Sequence, residues 1–256
     1  MELKEDVEQG PDGSAQIFIQ PLLGCYSRAP SLRAAQRKAR LKVLEYADWL
    51  GSYGEDVKVK PIMLRLCEVV KGDWPVNLGD SVALFKCDKG LLTREDVDRY
   101  LRWMRYSWED FQRLVKNVPR EALDWKPSPD TIRSIRRIIV HIALVQVWYL
   151  MKLRREGDSS FRYPKGLSLW TYAKRVDRKG DISLATLNGL RNAVCHRLSN
   201  LGDHELVRVT YHRPGGWTGR TALESWTTRK VFRRFLWHER LHMNTMRKLL
   251  EVFRVQ

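Results

Sequence analysis

The first 92 residues alternate between strand-like runs and one helix-like run. Alternating apolar and polar positions predict two strands that pair as a hairpin across a turn at residues 10–13. Ser31 is a suitable N-cap for the helix that follows, and Pro61 places the next alternating run at a sheet edge. We expect residues 21–27 to form a tight apolar connection and residues 71–92 a linker or covering loop. The predicted strands are 2–7, 15–20 and 57–70, and the predicted helix is 31–50.

From residue 93 onwards the apolar positions recur with the period of long amphipathic helices. Four such runs predict a four-helix bundle. Residues 157–181 between the second and third runs are predicted to be irregular, and residues 206–211 to form a short strand. The predicted helices are 93–117, 131–156, 183–201 and 227–253. The fold class is therefore expected to be α+β, with a small strand–strand–helix–strand module over 1–92 and a four-helix bundle over 93–256.

The distribution of charge supports this division into two domains. Residues 1–92 contain 13 basic and 13 acidic residues, whereas residues 93–256 contain 33 basic and 17 acidic residues and carry the whole net charge of +16. Such a field attracts anions of several kinds, and we expect a small anionic substrate. The basic side chains of the last helix form either a solvated face, an anion-binding mouth or a nucleic-acid track. No nucleic-acid-binding motif is present, so contact with nucleic acid is the less favoured expectation.

The sequence contains no signal for a membrane or a secretory pathway. No run of about 18 apolar residues is present, and the first residues are polar and partly acidic. The four cysteines are scattered without a CxxC spacing, which argues against a disulfide scaffold and a cysteine-type zinc site. We therefore expect a cytoplasmic protein without a membrane partner. The cysteines are Cys25, Cys67, Cys87 and Cys195.

Three histidines lie on the apolar stripes of two predicted helices. His238 and His242 are four residues apart in an HExxH sequence, so they share one face of the last helix. His141 lies on the matching stripe of the second helix of the bundle. A buried imidazole that lacks partners costs roughly 1–3 kcal/mol. One shared divalent ion would satisfy all three imidazoles and leave a position for water or substrate. Considered alone, His141 is better explained as a hydrogen-bonded core histidine than as a metal ligand.

The HExxH sequence is also the motif of zinc metalloproteases, in which its glutamate is the general base. Thr245 and Lys248 stand where the extended protease motif needs glycine and histidine, which argues against a protease. The sequence therefore favours His141 as the third ligand. Glu239 then has three open roles: a hydrogen bond to a ligand imidazole, a base, or an ion pair with an arginine.

Residues 93–256 resemble the DinB-like superfamily of metal-binding four-helix bundles. The segments that carry the resemblance are Trp125-Lys126-Pro127, Ser134 to Ala143, Trp148-Tyr149-Leu150 and Trp226 to His242. The resemblance implies one histidine ligand from the second helix and a pair from the last, which fall on His141, His238 and His242. It also implies Zn²⁺ or Ni²⁺ as the cofactor and a homodimer as one plausible assembly.

The resemblance implies a metal-dependent hydrolase or thiol-dependent transferase, although many relatives have no assigned reaction. The alternative is a noncatalytic stress-response or interaction protein. Its metal site would be structural or vestigial, and its basic face could contact nucleic acid. Accessibility of the metal separates these hypotheses, because an enzyme needs a coordination position that opens to solvent.

A second resemblance, to the HicB-like antitoxin fold, covers residues 1–70. It rests on residues 15–20, on Leu23-Gly24-Cys25 and on the helix after Ser31. Ala29-Pro30-Ser31 stands where that family usually has Gly-x-Thr. The resemblance implies a binding or oligomerising module, and a structural cap on the bundle is an equally open role.

Overall fold

The protein combines a four-stranded sheet with a helical bundle and is an α+β protein, as predicted. The computed structural model describes residues 2–59, 61–76, 83–131, 133–154, 169–212 and 223–255. The strands are β1 (Leu3–Gln9), β2 (Ala15–Gln20), β3 (Tyr26–Ala29), β4 (Leu64–Lys71), β5 (Val209–His212) and β6 (Glu224–Thr227). The helices are α1 (Leu32–Gly51), α2 (Arg94–Lys116), α3 (Ile135–Met151), α4 (Leu169–Lys179), α5 (Leu184–Ser199), α6 (Asp203–Leu206) and α7 (Thr228–Arg254). Within these ranges no helix is long and apolar enough to cross a membrane.

The N-terminal sheet has the strand order β3-β2-β1-β4. Strands β1 and β2 form the predicted antiparallel hairpin, whose turn is closed by a 2.8 Å hydrogen bond from Gly10 N–H to the Ser14 carbonyl. Strand β4 runs parallel to β1 at the edge of the sheet. The edge position was predicted from Pro61, but the strand begins only at Leu64. Helix α1 starts at the predicted cap, where the Ser31 hydroxyl accepts a hydrogen bond from Ala34 N–H.

The structure adds a strand that the sequence pattern did not predict. Strand β3 overlaps the run expected to be a tight connection, so three strands rather than two precede α1. It has only four residues, of which Ser27 and Ala29 are buried. Four residues are too few for alternation to be recognised, and the extended conformation is stabilised by pairing with β2. Strand β6 is equally short and pairs with β5.

The helical part also differs from the prediction, since neither α4 nor the short helix α6 was expected. Residues 157–181 were expected to be irregular, but residues 169–179 form α4, which packs against α3 and α5. Residues 155–168 lie outside the described residues. Only Ala173 and Val176 are fully buried along the described side chains of α4, so its apolar stripe is short. The other bundle helices agree with prediction, except that α3 is shorter than the range 131–156.

The sheet and the bundle share one apolar core. Helix α1 covers one face of the sheet, while the ring of Phe18 on the other face lies 6.0 Å from that of Trp237 in α7. Residues 83–92 cover this junction, as expected of part of the 71–92 segment, and contribute the buried Phe85 and Asp88. Asp88 accepts hydrogen bonds of 3.0 and 2.6 Å from the Arg233 guanidinium of α7. The N-terminal module is thereby joined to the helix that carries two of the three histidines.

Gly24 provides the first test of this junction. Its φ of +94° disfavours any residue with a Cβ, and an added Cβ would lie 2.8 Å from Leu236 Cβ and 2.9 Å from the Tyr46 hydroxyl. We expect Gly24→Ala to lower the free energy of unfolding by about 2–4 kcal/mol, from backbone strain plus overpacking. Gly54→Ala is the matched control, since its φ is +85° but nothing lies within 4 Å. Equal losses in urea denaturation of the two variants would contradict close packing at Gly24.

Candidate metal centre

Helices α3 and α7 pack against each other and carry the three histidines. Each begins at a side-chain cap: the Ser134 hydroxyl accepts from Arg137 N–H, and the Thr227 hydroxyl accepts from Lys230 N–H. Their apolar stripes are buried as predicted at Ile138 and Phe235. Since the histidines follow these stripes, the packing of the two helices brings the imidazoles together.

The structure brings His141, His238 and His242 into one cluster. Their candidate ligand atoms all lie within 4.8 Å of one another. The Nε2 atoms of His238 and His141 are 3.0 Å apart, and the ring of His242 lies 4.8 Å from that of His141. His238 is buried, whereas His141 and His242 are only half-buried. The cluster therefore has a closed side at His238 and a side that solvent can reach.

The surroundings of the cluster favour neutral imidazoles. Burial lowers the pKa of His238 well below its usual value, and the neighbouring histidines, Arg234 and Arg133 lower it further. Burial lowers the pKa of His242 to about 3, and His141, Arg133 and Arg28 act in the same direction. A neutral imidazole keeps the lone pair that a metal needs. Arginines from three parts of the chain also make the region electropositive.

The donor set fits a divalent transition metal. Three neutral imidazoles suit Zn²⁺, Ni²⁺ and related ions, with a usual metal–nitrogen distance of about 2.0–2.1 Å for zinc. Two Nε2 atoms at 3.0 Å are close enough to bind the same ion, and the third ring lies in contact with both. Without an ion, two protonated rings at these distances would repel each other. We conclude that the residues present can hold one divalent ion.

Aromatic rings close the buried side of the cluster. The ring centroids of Tyr149 and Trp237 lie 5.8 and 6.0 Å from that of His238. Trp148 and Trp226 pack against each other and against Tyr149 in a layer beyond. Tyr149 was not predicted as a contact. It lies eight residues after His141 on α3, and this spacing places both residues on the same stripe of the helix.

Glu239 lies in a buried ion pair with Arg191 of α5. Burial raises the pKa of the Glu239 carboxyl, and the Arg191 guanidinium opposes that rise. Arg191 also lies 4.4 Å from the ring of Trp108. Of the three roles left open by the sequence, an ion pair with an arginine is the one observed, although it is buried rather than superficial. The cluster of ligand atoms does not include Glu239, whose action as a base or on a ligand imidazole stays a prediction.

The basic side chains of α7 fall into two groups. Those in its first half are mostly buried and engaged in the fold: Arg229 pairs with Asp96 at 3.1 Å, and Arg233 with Asp88. Burial lowers the pKa of Lys230 to about 7. The expectation of one solvated basic face is therefore wrong for this half. Arg240, Arg247 and Lys248 in the second half line a groove beside the cluster.

The other described histidines and the four cysteines lie outside the cluster. His204 is exposed, and His212 Nε2 lies 2.8 Å from the Lys152 carbonyl oxygen. Burial raises the pKa of the Cys195 thiol. Among the described residues, the three histidines are the one group of ligand-type side chains close enough to share an ion.

Comparison with known proteins agrees with the geometry of the bundle. The DinB superfamily matches residues 104–246, which is more than half of the chain and includes all three histidines. The match does not extend to the N-terminal sheet, so the HicB-like resemblance has no support from it. No curated protein and no solved structure matches the chain. The chain therefore belongs to the DinB superfamily.

Proposed function

We propose that this protein is a divalent-metal-dependent enzyme, either a hydrolase or a thiol-dependent transferase. His141, His238 and His242 would hold one Zn²⁺ or Ni²⁺ ion. The observation that carries the proposal is the convergence of three imidazoles from two helices, with ligand atoms within 4.8 Å of one another. Partial exposure of His141 and His242 supports an enzyme, because substrate needs access to the ion.

Each part of the cluster has a role in this proposal. The ion would lower the pKa of a thiol or a water molecule that takes its open coordination position. The rings of Tyr149 and Trp237 shield His238 from solvent and hold it in place. Arg28 and Arg133 raise the electrostatic potential beside His242 and thereby favour an anionic substrate.

Activity of metal-loaded protein tests this proposal. We would load the protein with Zn²⁺ or Ni²⁺ and follow two reactions: consumption of a thiol in the presence of an electrophile, and hydrolysis of an activated ester. We expect at least one rate to scale with metal occupancy and to fall by about 100-fold or more in His242→Ala, since even partners of metal ligands often contribute 10- to 100-fold. His204→Ala, an exposed histidine, should retain the wild-type rate. Equal rates with and without metal would reject the proposal.

A noncatalytic role is the second candidate, and the position of Glu239 supports it. The carboxylate nearest in sequence to the ligands is held by Arg191, and no acid from the described part of the chain joins the ligand cluster. A protein of this kind would show no metal-dependent turnover. If its basic surface contacts nucleic acid, the affinity would fall steeply with salt and would not need the metal.

A further inference from the structure

A groove of about 690 Å³ lies between the N-terminal module and the second half of α7. One wall comes from residues 24–28 and α1, and the other from α7. Leu241 and Thr245 of α7 line the groove, and His242 lies between them in sequence, one to three residues away. The groove therefore runs beside the histidine cluster, although none of the three histidines lines it.

The groove is strongly basic. Its lining contains six cationic side chains and two carboxylates. Within the part of the chain that the structure describes, only one of the six cations, Lys42, lies within ion-pair distance of a carboxylate, at 2.6 Å from Glu45. The cations are Arg28, Lys38, Lys42, Arg240, Arg247 and Lys248. The excess positive charge favours binding of an anionic ligand.

Neighbouring groups hold all three arginines of the groove in defined positions. Arg240 stacks over the rings of Tyr46 and Trp49, at 4.7 and 4.2 Å from their centroids. Arg28 donates a 3.2 Å hydrogen bond to the Val76 carbonyl, and Arg247 donates a 2.9 Å hydrogen bond to the Asn244 side chain. A guanidinium has five N–H donors, so these contacts leave donors for a carboxylate or phosphate.

Strand β3 connects the groove with the histidines. It lies outside the region that matches the DinB superfamily, and its Tyr26 and Arg28 both line the groove. The ring of Tyr26 lies 6.3 Å from that of Trp237, which in turn lies 6.0 Å from the ring of His238. An anion bound in this part of the groove would therefore lie beside the histidine cluster.

We infer that this groove binds the anionic part of a small-molecule substrate and directs its reactive group towards His242. The substrate class is a molecule with at least two carboxylate or phosphate groups. This inference rests on the proposed function and assigns the N-terminal module a part in substrate binding. The volume of the groove is typical of a small-molecule site, about 300–1,000 Å³.

Binding of simple anions tests the inference without any assumption about the reaction. Calorimetry at low ionic strength would measure succinate as a dicarboxylate probe and inorganic phosphate as a phosphate probe. We expect the combined variant Arg247→Gln/Lys248→Gln to bind at least one probe about tenfold more weakly, and Arg28→Gln to show a similar loss. The matched control is Lys174→Gln/Arg178→Gln on α4, which removes the same charge from exposed positions outside the groove. It should bind as the wild type does.

The other outcomes each overturn the inference in a recognisable way. Equal binding by the groove variants and the wild type would show that the anions bind elsewhere. Loss of anion binding in His238→Ala alone would place the anion on the metal instead. Binding of a single-stranded oligonucleotide that is lost in the groove variants, with no binding of either small anion, would make the groove a nucleic-acid contact. Metal content, measured separately on every variant, tests the proposed function, because absence of bound metal from the wild type would reject that function whatever the result for the groove.

Discussion

Replacing His238 or His141 with alanine is expected to abolish stoichiometric metal binding. The wild type, purified without an affinity tag, should contain close to one Zn²⁺ or Ni²⁺ per chain. The Nε2 atoms of the two histidines are 3.0 Å apart although they come from different helices, so each variant leaves an incomplete set of ligands. We expect the affinity to fall by more than about 100-fold, a larger loss than partners of metal ligands usually cause.

Elemental analysis of the three proteins would measure this effect, and thermal unfolding with and without a chelator would give a second readout. A ligand that binds only the folded state stabilises it by about 2.7 kcal/mol at 100 times its dissociation constant. A chelator should therefore lower the Tm of the wild type but not that of the variants. His204→Ala controls for adventitious binding at the exposed Asp203 and His204 and should retain its metal. Metal that persists in His141→Ala would contradict a site shared between α3 and α7.

Breaking the ion pair between Arg191 and Glu239 is expected to have the largest effect on stability. Both side chains are buried, so Arg191→Met or Glu239→Leu leaves one charge without its partner inside the bundle. Such a loss usually costs about 3–5 kcal/mol. Replacing both residues removes both charges, and we expect the double variant to be more stable than either single variant.

The cost of Arg191→Met should also depend on pH. Burial already raises the pKa of Glu239 above the ordinary value of 4.5, and removal of the opposing guanidinium raises it further. Above about pH 4.5 the unfolded chain releases this proton while the folded variant retains it, so folding stability falls as pH rises. The difference in stability between wild type and variant should therefore widen from acidic to neutral pH.

Urea denaturation at several pH values would measure these differences at constant metal loading. The exposed pair Arg105 and Glu109, 3.9 Å apart on α2, is the matched control, and its coupling should not exceed about 0.5 kcal/mol. An equally small coupling free energy between Arg191 and Glu239 would contradict the interpretation of this pair as a buried ion pair. Metal content should survive in the double variant, because Glu239 is not in the ligand cluster. Loss of the metal from the double variant would indicate that Glu239 contributes to the metal site.

Several features of the site could be predicted from local spacing alone. The 3.6-residue period assigns His238 and His242 to one apolar face, and the same period places His141 on the inner face of α3. The inward position of Arg191 follows from the same kind of spacing, since it lies four residues after the buried Leu187 on α5. The position of its partner does not, because Glu239 is equally compatible with an exposed position on the helix. Pairing of these two residues depends on how α5 and α7 face each other.

Two of the short elements could not be predicted from the local pattern of apolar and polar residues. Strand β3 has four residues and α4 has eleven, and neither has an apolar pattern long enough to stand out. Hydrogen bonding to β2 stabilises β3, and packing against α3 and α5 stabilises α4. Long helices such as α7 bury many residues on one side, so their pattern survives in the sequence.

The amino-acid sequence by itself determined the α+β class, the long helices of the bundle and the three inward-facing histidines. These follow from periodicity, capping residues and turn chemistry, which act over a few neighbouring residues. Only the tertiary structure decided the 3.0 Å contact between His141 and His238, the burial of the Arg191–Glu239 pair and the basic groove beside Arg28. Each of these joins elements far apart in the chain, and such distances depend on how whole surfaces pack, which no local pattern encodes.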